Sequence, residues 1–319
     1  MILVTGASGF VGGELVRTLK RKNTHTLRLA VREISEHLFA LGEVIHVGAI
    51  ITTETGWAQA LTGVSTVVHC AARVHAMNDT SDDPLADFRV VNVDGTLKLA
   101  SQAAAAGVLR FVFLSSVKVN GEATLLGAPF RPEDLPAPVD PYAISKREAE
   151  DGLRQLALDT GMEVVIIRLP LVYGPGVKAN FLSMMCWVNH GVPLPFGAIQ
   201  NKRSFVALDN LVDLIVTCID HPAAANQTFF VSDGEDLSTT DLLRRVGRAL
   251  GKPARLFPVP VPILQTVATL LGKSAVANRL FGSLQVDISK TGSLLGWSPP
   301  VSVDEGLRRT AQGLNEKGI

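Results

Sequence analysis

No excess of charge marks this chain: 30 Lys and Arg are matched by 30 Asp and Glu. A duplex-binding protein needs a clustered basic surface to displace phosphate counterions, so the even balance argues against a nucleic-acid partner. Cysteine is scarce. Cys70, Cys186 and Cys218 lie far apart in apolar contexts, which points away from a disulfide framework or a zinc site and toward small core residues. Long apolar runs are also missing. Met1-Ile2-Leu3-Val4 leads into a glycine turn with neither a basic leader nor an export segment, and the most apolar late stretch, 261–272, is far shorter than the roughly 20 residues of a membrane span. A cytoplasmic protein is expected, with 261–272 as a buried or interfacial helix.

What is present is a packed globule: 47% of residues are apolar and 19% charged. Short β-branched runs at 2–5, 27–31, 44–47, 66–70, 110–115 and 163–169 alternate with helical patterns at 10–20, 87–106 and 142–160. This alternation predicts an α/β fold, a doubly wound parallel sheet with helices on both faces. After residue 175 Pro and Gly become more frequent and the elements shorten, at 181–190, 204–206, 208–220, 228–232 and 239–250. We expect a dinucleotide-binding Rossmann domain over 1–175 and a smaller substrate-binding lobe over 176–319. The boundary is soft, because a strand at 228–231 has the composition to return to the main sheet.

Thr5-Gly6-Ala7-Ser8-Gly9-Phe10-Val11-Gly12 follows the first strand and opens the first helix. Glycines there allow a tight turn and close approach of a pyrophosphate, whose charge suits the helix N-terminus. Gly6, Ser8, Gly9, Phe10, Val11 and Gly12 are therefore candidate contacts to a nicotinamide dinucleotide. At the end of the second strand an acidic residue would read a ribose 2′-hydroxyl, but the sequence has Val31-Arg32. A guanidinium there suits a 2′-phosphate, so of the NAD(P) cofactors NADP(H) is favoured over NAD(H).

Tyr142-Ala143-Ile144-Ser145-Lys146 opens the helix after Pro141, and a spacing of four puts both side chains on one face. An ammonium beside a phenol favours phenolate, making Tyr142 a proton-exchange group for a carbinol or carbonyl during hydride transfer. Ser115-Ser116 closes the strand at 110–115, where open parallel sheets carry their sites. Asn92 lies in the helix between the fourth and fifth strands. Its amide either supports loop backbone, serves a proton relay, or makes plain structural hydrogen bonds.

Together with His69-Cys70-Ala71-Ala72 and Val172-Tyr173-Gly174-Pro175, these motifs resemble the extended short-chain dehydrogenase/reductases, specifically the sugar-nucleotide epimerase/dehydratase group typified by UDP-glucose 4-epimerase. The resemblance spans nearly the whole chain, ending at Leu295-Gly296-Trp297-Ser298-Pro299. It implies that Tyr142 is the acid/base, that Lys146 holds the nicotinamide ribose, and that Ser116 binds the reacting oxygen. Phe10, Val11, Ala71 and Ala72 line the cofactor, joined by Ser115 and Asn92. Arg203 grips a substrate diphosphate, and Asn180 and Phe181 contact the nucleotide. A homodimer through the helices at 87–106 and 142–160 is also implied.

Where the family's dehydratases carry an acid after the active-site serine or threonine, this chain has Val117-Lys118, which disfavours dehydration. Lys118 meets an anionic or acylamino substrate group or reaches solvent. Leu284 stands near the usual second diphosphate arginine, Leu171 replaces a common asparagine, and Ala49 replaces an acid that reads adenine. The leading expectation is an enzyme acting at C4 of a UDP-N-acetylhexosamine, by 4-keto reduction or 4-epimerisation, for surface-polysaccharide precursors. The alternatives are the same chemistry on a polyprenyl-diphosphate sugar at a membrane face, motivated by Leu284 and the apolar stretch, or a non-catalytic dinucleotide sensor.

Overall fold

The computed structural model describes residues 1–48, 51–74 and 83–315; Ala49 lies outside them. The first half alternates β1 (Ile2–Thr5), α1 (Phe10–Lys22), β2 (Leu27–Val31), α2 (Glu36–Phe39), β3 (Glu43–His46), α3 (Ala58–Leu61) and β4 (Thr66–His69). It continues with α4 (Pro84–Arg89), a π-helical turn Val90–Gly95, α5 (Thr96–Ala105), β5 (Arg110–Ser116), α6 (Pro141–Thr160), β6 (Glu163–Leu169) and β7 (Leu171–Tyr173). The second half holds α7 (Ala179–Asn189), β8 (Phe205–Ala207), α8 (Leu208–Asp220), β9 (Thr228–Phe230), α9 (Thr239–Ala249), α10 (Val261–Leu270), α11 (Ser274–Phe281), α12 (Ser289–Leu295) and α13 (Val303–Asn315).

Seven strands form one parallel sheet in the order β3-β2-β1-β4-β5-β6-β9. Every residue of β1, β2, β4 and β5 is buried, as expected where helices cover both faces. One face buries Val4, Leu29, Val112 and Ile167 under Leu15 and Leu19 of α1 and Leu211 and Leu214 of α8; the other buries Leu3, Phe111, Phe113 and Ile166 under Leu99 of α5 and Leu153 of α6. The sheet order reverses direction between β1 and β4, and the two carboxyl ends open a crevice there. Residues after 175 also build the sheet side of the molecule, since α8 packs on α1 and β9 pairs with β6. A separate apolar core gathers Tyr173, Phe181, Met185, Phe205, Leu243 and Leu307 beneath the parallel pair β7-β8.

Three expectations are corrected. The helix predicted at 87–106 is broken by the π-turn Val90–Gly95, which carries Asn92. One extra residue in that turn rotates the helix and re-aims a side chain, a device common at functional sites. The segment at 261–272 forms a helix as expected, but no residue of α10 is buried, which removes the buried alternative and leaves the interfacial one. Of the cysteines only Cys218 is buried; Cys70 and Cys186 are partly exposed.

Candidate active site

The turn after β1 is built by contact rather than by side-chain capping. Gly6 has φ +65, and a Cβ there would stand 2.9 Å from the Ala71 nitrogen, so only glycine lets β1 and β4 loops approach. A Cβ on Gly12 would meet the Gly6 carbonyl oxygen at 2.3 Å, so α1 rests directly on the turn. Gly9 caps α1 with no side-chain acceptor, and the first turn holds no acid. Its amides are left to an anion, and the cradle therefore fits a dinucleotide pyrophosphate. Ser8 is exposed, while Phe10 and Val11 are partly buried against the core below.

Thr5 and His69 tie the two strand ends together. Thr5 Oγ1 lies 2.7 Å from His69 Nδ1 and accepts the Ala71 amide at 3.3 Å, while His69 Nε2 lies 3.0 Å from Thr96 Oγ1. Burial, and then the nearby Lys146, lower the imidazole to about 3, so the ring is neutral and structural. Asn92 settles its own role: Oδ1 accepts the Arg73 amide at 2.9 Å, and Nδ2 donates to the Arg73 carbonyl at 3.0 Å and to Ser145 Oγ at 3.1 Å. It supports backbone, pinning the loop that carries Ala71 and Ala72 to α6.

Helix α6 begins at Pro141, and Asp140 caps it by accepting the Ala143 amide at 2.7 Å. Tyr142 then sits in the first turn, packed edge-on against Phe88, with Lys146 one turn further along the same face. Lys146 Nζ donates to the Leu114 carbonyl at 2.8 Å and lies 4.4 Å above the Phe113 ring. Burial lowers it to about 8, although Glu150 and Cys70 pull the other way. The phenol differs from expectation: burial, then Asp140, push Tyr142 above its usual value.

The two serines are placed apart. Ser115 Oγ donates to Glu150 at 2.5 Å, whereas Ser116 Oγ accepts only the Lys118 amide, at 3.3 Å, and caps the 3₁₀ turn Val117–Val119. Ser115 is thus committed to the interior rather than to a cofactor. Glu150 is the residue the motifs did not disclose. It is fully buried, and Arg168 grips it at 3.0 and 2.6 Å while donating to Asn120 Oδ1 at 2.9 Å. Burial alone raises the carboxyl, but Arg168 outweighs it and holds Glu150 below its usual range. An arginine inside the apolar run of β6 was the available signal, since a strand covered on both faces admits a charge only when it is paired.

Several expected substrate contacts lie elsewhere. Lys118 pairs with Asp140, with Glu122 at 3.8 Å, and so faces a protein carboxylate rather than solvent. Phe181 is buried and stacked on Tyr173 at 5.4 Å, making it core; its neighbour Asn180 is exposed in the first turn of α7. Arg203 donates to the carbonyls of Arg279 at 2.9 Å and Gly282 at 3.0 Å, and no carboxylate pairs with it among the described residues. Leu284 is buried with Val117, Phe230 and Val286, so the position near the second arginine belongs to a small core. Arg32 is exposed at the end of β2.

A model of the NAD dependent epimerase/dehydratase family matches residues 2–231. The chain belongs to that family. A UDP-glucose 4-epimerase of Vibrio cholerae is 52% identical over 98% of this chain and 94% of its own length. An N-acetyl-alpha-D-glucosaminyl-diphospho-ditrans,octacis-undecaprenol 4-epimerase of Escherichia coli O157:H7 is 28% identical over 98% of this chain and 94% of its own. Among solved structures, a UDP-glucuronic acid 4-epimerase from Bacillus cereus in complex with NAD matches with a TM-score of 0.79 at 21% identity, covering 99% of this chain and 98% of that one. At that identity the likeness bears on the fold, and it agrees with the Rossmann arrangement of this family member. Two solved neighbours, that epimerase among them, are complexes with NAD, so the preference for NADP(H) read from Arg32 finds no support in them. Among the described residues, no helix is long and apolar enough to cross a membrane.

Proposed function

We propose that this chain is an NAD-dependent 4-epimerase of a UDP-hexose, of the UDP-N-acetylhexosamine type, supplying precursors of surface polysaccharide. The observation that carries the reading is Tyr142 at the head of α6 with the buried Lys146 one turn behind it, both on the helix that closes over the carboxyl end of β5. NAD, when bound, accepts and returns a hydride at C4 of the sugar. Tyr142 takes the proton of the C4 hydroxyl and returns it to the same oxygen after the 4-keto sugar has turned over, so that the hydride comes back to the opposite face of C4. Ser116, whose hydroxyl keeps its donor free, holds the C4 oxygen. Lys146, whose ammonium donates to the Leu114 carbonyl, would hold the nicotinamide ribose, and its charge one turn from the phenol would favour the ionised form. Arg203 meets the diphosphate, with Asn180 at the nucleotide, and Ala71 and Ala72 line the cofactor.

Epimerisation is favoured over net reduction by the names of the two relatives quoted above, which are both 4-epimerases. It requires no net reductant, so NAD is kept from turnover to turnover. The working unit is a cytoplasmic homodimer formed through α5 and α6, with Rossmann domain 1–175 and lobe 176–319. A second reading, 4-epimerisation of a polyprenyl-diphosphate sugar, draws on the buried Leu284, which leaves Arg203 to hold the diphosphate without a partner at that position. The test is conversion of UDP-glucose, UDP-N-acetylglucosamine and a polyprenyl-diphospho-N-acetylglucosamine with catalytic NAD. Conversion of the UDP-sugars at catalytic NAD is expected. A stoichiometric demand for NADPH would replace the epimerase by a 4-ketoreductase.

A further inference from the structure

The overall charge balance hides one local asymmetry. Between Asp241 and Asp287 the chain contains no acidic residue at all, yet besides Arg244 and Arg245, which pair with Asp241, Glu235 and Asp304, it carries Arg248, Lys252, Arg255, Lys273 and Arg279. These five are exposed, and none has a carboxylate partner among the described residues. The same segment contains α10, which lacks any charged side chain and buries no residue. Ile263, Val267, Leu270 and Leu271 are 54%, 48%, 82% and 67% exposed. Their spacing, i, i+4, i+7 and i+8, gathers them on one face of the helix, aimed away from the protein. Phe257, just before α10, is exposed as well. Polar Gln265, Thr266 and Thr269 occupy the rest of the outer surface.

We propose that the segment from α9 to α11 is a docking surface for an anionic lipid bilayer, with α10 lying in the interface and the surrounding cations over the headgroups. A ten-residue helix is about 15 Å long and cannot span a membrane, but an apolar stripe on a helix packed against α11, which brings the unpaired Lys273 and Arg279, is what an interfacial helix requires. Charge complementarity selects the occupant. A second copy of this chain meeting the same face about a two-fold axis would set unpaired cation against unpaired cation, since the acids at its edge, Asp241, Glu235 and Asp304, are already held by Arg244 and Arg245. A headgroup layer of negative charge neutralises the unpaired cations. The docked cap would sit over Arg203, since that guanidinium is bonded to the Arg279 and Gly282 carbonyls at the end of α11. Binding does not depend on the C4 chemistry and holds whichever sugar is turned over.

The experiment is co-sedimentation of the full-length protein with vesicles of phosphatidylcholine mixed with phosphatidylglycerol, and with phosphatidylcholine alone, at low and high salt. The expected result is pelleting with the anionic vesicles, weakened on the order of tenfold or more by high salt and by the Leu270→Glu/Leu271→Glu double variant. Both leucines are surface residues, so the variant should fold, with an unchanged circular dichroism spectrum and unchanged turnover of soluble UDP-sugar. The proposal is overturned if the protein stays in the supernatant at low salt, or if the double variant pellets like the parent. It is equally overturned if the double variant instead dissolves a dimer on gel filtration while vesicle binding is unaltered. Loss of turnover with vesicle binding intact would count against the proposed reaction alone.

Discussion

The chain has only two tyrosines, and they stand in different surroundings. Tyr173 is completely buried, and its hydroxyl donates to Asp233 at 2.7 Å. The same carboxylate accepts the Ala207 amide and Asn210 Nδ2, each at 2.7 Å, and Asn210 in turn binds the Val301 carbonyl at 2.8 Å. Burial and then Asp233 push this phenol up, so it stays a protonated donor that staples β7, α8 and the chain entering α13. Tyr142 is pushed up as well, again by burial first and then by a carboxylate, Asp140. Yet Asp140 is itself held by Lys118, and Lys146 stands one turn away. A raised pKa therefore does not mark a catalytic tyrosine; what distinguishes Tyr142 is its place at the head of α6, one turn from Lys146 and beside the carboxyl end of β5.

Replacing each tyrosine by phenylalanine sharpens the contrast, beginning with the larger effect. Tyr142→Phe should lower kcat by roughly 10²- to 10⁴-fold in a protein that still folds, the size of a lost proton exchange, with folding checked by circular dichroism. Full activity in this variant would remove Tyr142 from the chemistry. Behind Tyr142, the Glu150→Ala variant leaves Arg168 buried without its partner and frees Ser115, and should cost about 3–5 kcal/mol in urea unfolding. Tyr173→Phe should cost about 1–3 kcal/mol, with kcat of the folded protein preserved, since Asp233 loses one of its donors and nothing that reacts.

The smallest effect tests the charges around Tyr142 directly. Asp140 raises the phenol and Lys118 offsets Asp140, so Lys118→Ala should move the phenol's limb of the kcat/KM profile to higher pH by about one unit. Asp140→Asn, which keeps a helix-capping side chain, should move it to lower pH. Shifts in the same direction for both variants would show that the pair acts through structure rather than through charge. In acid, His69 sets a separate limit. Its folded value near 3 lies below the ordinary 6.5, so the unfolded chain takes up the proton first, and stability falls as pH drops from 6.5 toward 3.

Much of the sheet was readable in one dimension because its strands are short apolar runs separated by helical periodicity. The strand at 228–231, which joins β6 as β9, is such a run. Tyr142 and Lys146 were readable for the same reason: a spacing of four places two side chains on one helical face whatever surrounds the helix. Arg168 was visible as a charge in an apolar strand, but its partner Glu150 was not, being 18 residues away in another element.

What the amino-acid sequence determined by itself, then, is everything set by local period and backbone freedom: the alternating elements, the glycine turn and the Tyr–Lys face. Only the tertiary structure decided the partners. It turned Ser115 to Glu150, Lys118 to Asp140 and Phe181 to Tyr173, broke the helix at Asn92, and left α10 uncovered. The physical reason is that a side chain's hydrogen bond or burial depends on which distant element the fold brings within about 3 to 4 Å, and spacing along the chain carries no record of that distance.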